Sequence, residues 1–376
     1  VTQSYRVCTQ CIMDITVPDI QFDDEGVCNY CKQYEERIRS ELHYDKAGQE
    51  RLQSLIAESK RKGAHRDYDC LIGVSGGVDS TYVAYLVKER FGLRPLAVHL
   101  DNGWDAELAV NNVEQVLKRL DIDLYTYVLD WEEFKDLQVS FLKASIANAE
   151  IPTDHAIIAI LFRTAAERNI PYIITGANIV TEAIMPDCWM YDNRDLRLIK
   201  AVHRKFGRVK LQAYPQISLL RFAYYIFVKG IKYFPILNYV PYVKEDAKQM
   251  LSDELGWRDY GGKHYESIYT RFFQSYLLPR KFNIDKRRAH LSNLILSGQM
   301  TRDEALAEME EPPCPSDQLE EDGEYVMKKL GLSYDEFLRI MAAPVQSVSD
   351  YPNNAHLWRR FASVVRFARR RAIGNV

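Results

Sequence analysis

Tyr68-Asp-Cys-Leu-Ile-Gly-Val-Ser-Gly-Gly-Val-Asp-Ser80 contains a strand, a turn and the start of a helix. Tyr68–Val74 is an apolar run of strand length, and from Val78 onward the pattern is helical. Ser75, Gly76 and Gly77 turn the chain between the two. Paired glycines let the backbone bend tightly and bring its N–H groups close to a ligand. Such N–H groups at a helix N-terminus form a nest for an anion. Val78 opens the helix, Ser75 and Ser80 add hydroxyls, and Asp79 adds a carboxylate suited to Mg²⁺ beside phosphates. The lysine of G-x-x-x-x-G-K-[ST] is absent, which excludes a Walker loop.

Outward from this turn, strands and helices alternate. Pro95–Leu100, Leu124–Leu129, Tyr172–Thr175 and Tyr233–Leu237 read as further strands. Helical patterns cover Asp79–Phe91, Asp105–Leu120, Glu132–Asn148, His155–Arg168 and Lys244–Leu255. The alternation predicts an α/β fold with a doubly wound parallel sheet. Ligands of such sheets sit at the carboxyl ends of the strands. That rule groups the Ser75–Ser80 turn with His99 and Asp101 after the second strand, and with Thr175, Gly176 and Asn178 after the fourth.

Cys8-x-x-Cys11 and Cys28-x-x-Cys31 precede this core, with sixteen residues between the pairs. Two such turns make a tetrahedral four-sulfur site, the spacing of a zinc ribbon, with no position open for chemistry. An iron–sulfur ligand set and unrelated reduced cysteines remain alternatives. The expected organisation is a zinc ribbon over 1–35, a helical connector over 36–66, the α/β domain over 67–260 and a mainly helical region over 261–376. Asp322–Met341 should be helical, and Thr301 with Glu304 should form a capping box.

Composition narrows the function classes. With 47% hydrophobic and 27% charged residues the chain is expected to be globular. A net charge of −3 gives no global attraction to nucleic acid. The most apolar stretch, Ile217–Val243, is broken by Arg221, Lys229 and Lys232, so no membrane span is expected. Val1–Arg6 does not read as a signal peptide, and paired cysteines suit metal binding in a reducing cytoplasm. Residues 189–230 are rich in basic and aromatic groups, readable as an anion-binding patch or a solvated insertion.

Val74-Ser-Gly-Gly-Val-Asp-Ser80 resembles the PP-loop of ATP pyrophosphatases, which cleave ATP between the α- and β-phosphates. The order of further motifs is more specific. Cys11-Ile-Met-Asp14, His99-Leu-Asp-Asn-Gly-Trp104, Thr175-Gly-Ala-Asn178, Gly261-Gly-Lys-His-Tyr-Glu-Ser267, the basic Lys281–Arg288 segment and Ser297-Gly-Gln-Met-Thr-Arg302 follow one another. Together they resemble the N-acetyl sugar amidotransferases of surface-polysaccharide biosynthesis, the WbpG and PseA type.

That resemblance implies ATP, Mg²⁺ and a structural Zn²⁺, with a nucleotide-linked diacetamido sugar as acceptor. An N-acetyl group would become an acetamidino group, in O-antigen lipopolysaccharide or a related glycan. Asp79, Lys263, His264, Glu266 and Lys281 are the implied catalytic residues, with Arg287 and Arg288 as further cations over the leaving pyrophosphate. No glutaminase nucleophile is recognisable, since Cys70, Cys188 and Cys314 stand in no Cys–His–Glu setting. The resemblance implies separate glutaminase and ammonia-channelling subunits like the imidazole glycerol phosphate synthase pair. Arg221–Tyr242 and the arginine-rich tail are the candidate docking segments. Rival readings are a tRNA-thiolating PP-loop enzyme and a non-catalytic zinc-ribbon interaction module.

Overall fold

The computed structural model describes residues 5–262 and 265–360. Lys263, His264 and the arginine-rich tail beyond residue 360 lie outside them. Five strands form one sheet: β1 Cys70–Gly73, β2 Pro95–Asp101, β3 Asp123–Val128, β4 Tyr172–Thr175 and β5 Lys232–Pro235. All neighbours are parallel, in the order β3-β2-β1-β4-β5. The strand order reverses between β1 and β4, and sheets of this kind take their ligands at such a point, outside the carboxyl ends of the strands.

Alternation along the strands builds both faces. Cys70, Ile72, Ala97, Ile174 and Phe234 point to one side and meet Leu55, Val83, Val116 and Leu251 from helices. Leu71, Val98 and Ile173 point to the other and meet Ile160, Phe162, Ala165 and Ile226. Two-sided burial is what a parallel sheet requires. The edge strand β3 is the exception, with Val128 65% exposed.

The connector is two helices, Asn29–Glu41 and Lys46–Gly63, the second capped by Asp45, whose carboxylate accepts from the Gly48 amide. Lys244–Leu255 ends at Gly256, which takes φ +68°. The expected single helix over Asp322–Met341 is two, Ser316–Leu330 and Tyr334–Ala342, because Gly331 leaves the helical region at φ +67°. The capping box of Thr301 and Glu304 opens Arg302–Glu310. A third core joins the buried cysteines, Trp104, Phe134, Phe141, Phe272 and Phe337, and so runs from the N-terminal segment to the last third.

Candidate active site

The turn after β1 is shaped by its two glycines in different ways. Gly76 has φ +81°, and a Cβ there would lie 2.6 Å from the Ala109 carbonyl oxygen. Its own carbonyl accepts a 2.9 Å hydrogen bond from Trp257 Nε1. Gly77 has an ordinary negative φ, and a Cβ there would meet only the ends of side chains, Tyr260 at 3.2 Å and Ser75 at 3.3 Å. The Ser75 amide donates to Ser80 Oγ at 3.2 Å and the Gly77 amide to Ser75 Oγ at 3.3 Å. Ser80 and Thr81 hydroxyls donate to the Gly77 carbonyl at 3.1 and 2.8 Å. No side chain caps the following helix, Val78–Tyr85. Elsewhere Asp130, Asp195 and Ser218 fill that role. The Tyr260 hydroxyl lies against the Val78 amide, and no N-cap side chain takes the donors that follow it, the condition for holding phosphate.

Asp79 points at the Tyr242 hydroxyl, which donates to its carboxylate. Burial, followed by the negative charge of Asp79, raises the Tyr242 phenol well above its usual range. Burial, then Glu266 and Asp79, does the same to Tyr260. Both phenols stay protonated donors beside the Asp79 carboxylate. Glu266 reaches the same place: its Oε1 would lie 3.6 Å from a Cβ on Gly77. Its backbone carbonyl accepts from the Ala106 amide at 2.8 Å, which pins the segment before Ile268 to the loop after β2.

His99 lies beneath the turn. Its Nδ1 is 2.9 Å from the Val74 carbonyl and its Nε2 is 3.1 Å from Asp105 Oδ2. Both ring nitrogens face acceptors, so only the imidazolium satisfies both. Burial lowers the His99 pKa, but Asp105, the Val74 carbonyl and Asp101 outweigh it and the net shift is upward. Asp101 accepts from the Gly103 amide at 2.8 Å and shapes its own loop.

The turn after β4 closes on the phosphate loop through its backbone. A Cβ on Gly176 would lie 2.9 Å from the Asp79 carbonyl carbon and oxygen. Thr175 Oγ1 accepts from the Ala177 amide at 3.2 Å and the Tyr233 hydroxyl at 3.1 Å. Asn178 is buried and caps Ile179–Glu182, accepting from the Thr181 amide at 2.8 Å. The Thr175 and Asn178 side chains thus hold the turn rather than point into open space.

A cleft of about 720 Å³ opens beside Val78 and Asp79. Its far wall comes from the last third of the chain and includes Tyr265, Arg271, Lys286, Arg287 and His290. Arg287 is held there by Asp285 at 2.8 Å and by the Glu308 and Glu311 carbonyls. Two expected cations sit elsewhere. The Lys281 ammonium donates to the Ile340, Met341 and Ala343 carbonyls, so it caps the end of Tyr334–Ala342; it does not line the cleft. Burial lowers its pKa. Arg288 donates to the Ile12 carbonyl at 3.1 Å and pairs with the fully buried Asp14 at 3.0 Å, a strut between the two ends of the chain. Lys263 and His264 lie outside the described residues. Tyr242, Trp257, Tyr260 and Asp105 had no signal in the phosphate motif, because their roles arise from packing across the sheet.

The four N-terminal cysteines are fully buried, and their sulfurs lie within 4.8 Å of one another. Cys8–Cys31, Cys11–Cys28 and Cys28–Cys31 Sγ separations are each 3.7 Å. Tetrahedral Zn–S bonds of about 2.3 Å place sulfurs about 3.8 Å apart. The set fits Zn²⁺ with all positions closed. A four-iron cluster places its thiolates outside the cube, which needs wider spacing than this. The Cys28 and Cys11 amides donate to Cys8 Sγ at 3.2 and 3.4 Å, as a thiolate requires.

Residues 266–365 match the family model "LPS biosynthesis protein WbpG-like, C-terminal domain". An uncharacterized protein of Methanocaldococcus jannaschii, MJ1599, is 24% identical over 314 residues, covering 80% of this chain and 92% of that protein. Among solved structures, NMN synthetase from Francisella tularensis is 15% identical with a TM-score of 0.38, over 77% of this chain and 98% of that one. The U34-tRNA thiolase NcsA from Methanococcus maripaludis is 19% identical with a TM-score of 0.32, over 70% and 83%. These two overlays are loose, and neither informs the chemistry. Most of the far wall of the cleft, from Arg271 onward, falls within the matched residues; residues 259–262 and Tyr265, which also line the cleft, precede them. Behind the α/β domain that carries the Ser75–Ser80 turn, the chain is thus similar over residues 266–365 to the C-terminal domain of WbpG-like proteins.

Proposed function

We propose that the chain is an ATP-dependent, AMP-forming amidotransferase acting on the N-acetyl group of a nucleotide-linked diacetamido sugar. The observation that supports it most is that Val78 and Asp79 of the turn line one cleft with residues of the WbpG-like segment, while Glu266 of that segment reaches Gly77 beside it. An amide oxygen is a poor leaving group. Transfer of AMP to that oxygen releases pyrophosphate and gives an O-adenylyl imidate. Ammonia then adds at carbon, AMP leaves with the oxygen, and an acetamidino group remains.

The chain's residues divide this work. The turn amides and the Val78–Tyr85 N-terminus hold the phosphates, and Asp79 would hold Mg²⁺ with Tyr242 fixing its carboxylate. Mg²⁺ supplies neutralisation of the charge that develops on the leaving pyrophosphate. Arg287, paired with Asp285, and Lys286, paired with Glu150 at 3.7 Å, are the far-wall cations that would meet the leaving pyrophosphate on this reading; preorganised charge is usually the largest catalytic term. Glu266, beside Gly77, is placed to orient the amide or accept a proton from ammonia. The cysteine site would hold structural Zn²⁺. The nitrogen would come from a separate glutaminase with an ammonia-conducting partner, in the cytoplasm, for O-antigen or a related surface glycan.

The test offers ATP, ammonium and a panel of UDP-diacetamido sugars. The expected result is AMP together with a product whose mass reflects O replaced by NH. Glutamine as the only nitrogen source should give neither until a glutaminase is added. AMP formed on tRNA but not on any sugar would reject the reading in favour of a thiolase. Full activity with glutamine alone would reject the partner.

A further inference from the structure

We propose that the face built by residues 196–206 and 218–229 docks on an anionic membrane surface. None of it takes part in the cleft above. The helix Leu196–Phe206 turns Leu198, Ile199 and Val202 inward and leaves Arg197, Lys200 and Arg204 exposed. Their spacing puts all three on one helical face. They line a groove of about 560 Å³ with Leu219 and Leu220, and no lining residue is acidic. Lys200 and Arg204 enter no ion pair among the described residues. In a chain of net charge −3, this row is a local reversal of sign.

The other bank of the groove exposes apolar side chains in a row. Ser218 caps a helical segment, Leu219–Ala223, that continues through Tyr224–Val228. Tyr225 and Ile226 are buried, and Phe222 packs edge-on against Phe162 at 4.9 Å. Leu220 and Val228 are 85% and 71% exposed, with the half-exposed Tyr224 between them. That order forms one outward stripe, flanked by the exposed Arg221 and Lys229. Aliphatic tips, a tyrosine at their level and flanking cations are the pattern of a segment lying in a lipid interface.

Charge decides the occupant. A second copy would bring the same cations face to face. Residues 361–376 carry Arg366, Arg369, Arg370 and Arg371 and no acidic side chain, so they have the same sign as the groove. An anionic bilayer offers phosphates to Lys200 and Arg204 and hydrocarbon to Leu220 and Val228 together. No helix among the described residues is long and apolar enough to cross a membrane, so the contact is peripheral.

The full chain is sedimented with vesicles of phosphatidylcholine alone, and with vesicles in which roughly one lipid in three is phosphatidylglycerol. Binding is expected on the second only, and should weaken as salt rises. Lys200→Glu with Arg204→Glu, and separately Leu220→Glu with Val228→Glu, should each weaken it at least about tenfold. These side chains are exposed, so the melting curve should stay unchanged in both variants. Inorganic phosphate should not release the bound protein, which separates a membrane from a phosphate site. Equal behaviour on the two vesicle types overturns the proposal. So does binding that survives both double variants, or loss in the variants of an acidic protein partner while lipid binding persists.

Discussion

Gly76 and Gly77 stand side by side and answer to different constraints. At Gly76 the positive φ and the Ala109 carbonyl at 2.6 Å both forbid a side chain. Gly76→Ala should therefore destabilise the fold by about 2–3 kcal/mol, read from urea unfolding. At Gly77 a methyl group needs only small movements of Tyr260 and Ser75. Gly77→Ala should keep stability within about 1 kcal/mol and yet abolish AMP formation, because the methyl blocks phosphate approach. If Gly77→Ala turned over ATP normally, the phosphate would lie elsewhere. His99 sets a pH dependence. Its folded pKa is raised from 6.5, so its stabilisation is complete below that value and is lost as pH rises through the folded one. Melting temperature should fall over that window, and Asp105→Asn should flatten the fall. The buried His155 works the opposite way. Burial holds it at about 4, so its share of stability is lost as pH drops below 6.5.

The cysteine knuckles are gripped by helices distant in sequence. Arg302 donates to the Cys8 and Cys11 carbonyls, both at 3.0 Å, and the Ile12 amide donates to Ser292 Oγ at 3.3 Å. Ser292 belongs to Arg287–Leu296, the helix that presents Arg287 and His290 to the cleft. Metal loss should therefore reach the cleft. Cys8→Ser with Cys28→Ser should lose stoichiometric zinc by metal analysis and at least about 3 kcal/mol of stability, with the rate of AMP formation falling alongside. A stable, fully active protein without zinc would show that the sulfurs are only packed thiols. The paired spacing made this cluster legible in the sequence. The grip of Arg302 and Arg288 was not legible, because nothing local distinguishes a strut arginine from a phosphate-binding one.

The largest core couples both ends of the chain to the sheet domain. Trp104, after β2, packs on Tyr269 with ring centroids 5.3 Å apart, and its indole donates to the buried Gln138 at 2.6 Å. Phe272 and Phe337 belong to the same cluster, as do Cys8 and Tyr351. Arg271 adds a bidentate pair to the buried Asp322, at 2.6 and 2.7 Å. An isolated fragment of residues 67–260 would keep its sheet faces but expose Trp104, Phe134 and Phe141. It should show far-ultraviolet dichroism with weak near-ultraviolet signal and strong binding of an apolar dye. A fragment that melts cooperatively and binds no dye would show that the ends are appendages.

Local chemistry was enough for the strands, the Ser75–Ser80 turn and the capping box, since each is specified by residues within a few positions of one another, and for the cysteine quartet, since each of its two pairs is a short C-x-x-C turn. The parallel alternation also followed from pattern, because period-two strands between helices admit few arrangements. Which cations line the cleft was decided by long-range packing. Lys281 and Arg287 look alike in sequence. One ends on the last carbonyls of Tyr334–Ala342, which the aromatic core places; the other ends on the cleft wall against Arg302–Glu310, which packs through Ala305 on Ile12 and Leu291. The bracket of Tyr242, Tyr260 and Glu266 around Asp79 and Gly77 has the same origin. Its members lie far apart along the chain and meet only where the segments after β5 fold back over β1.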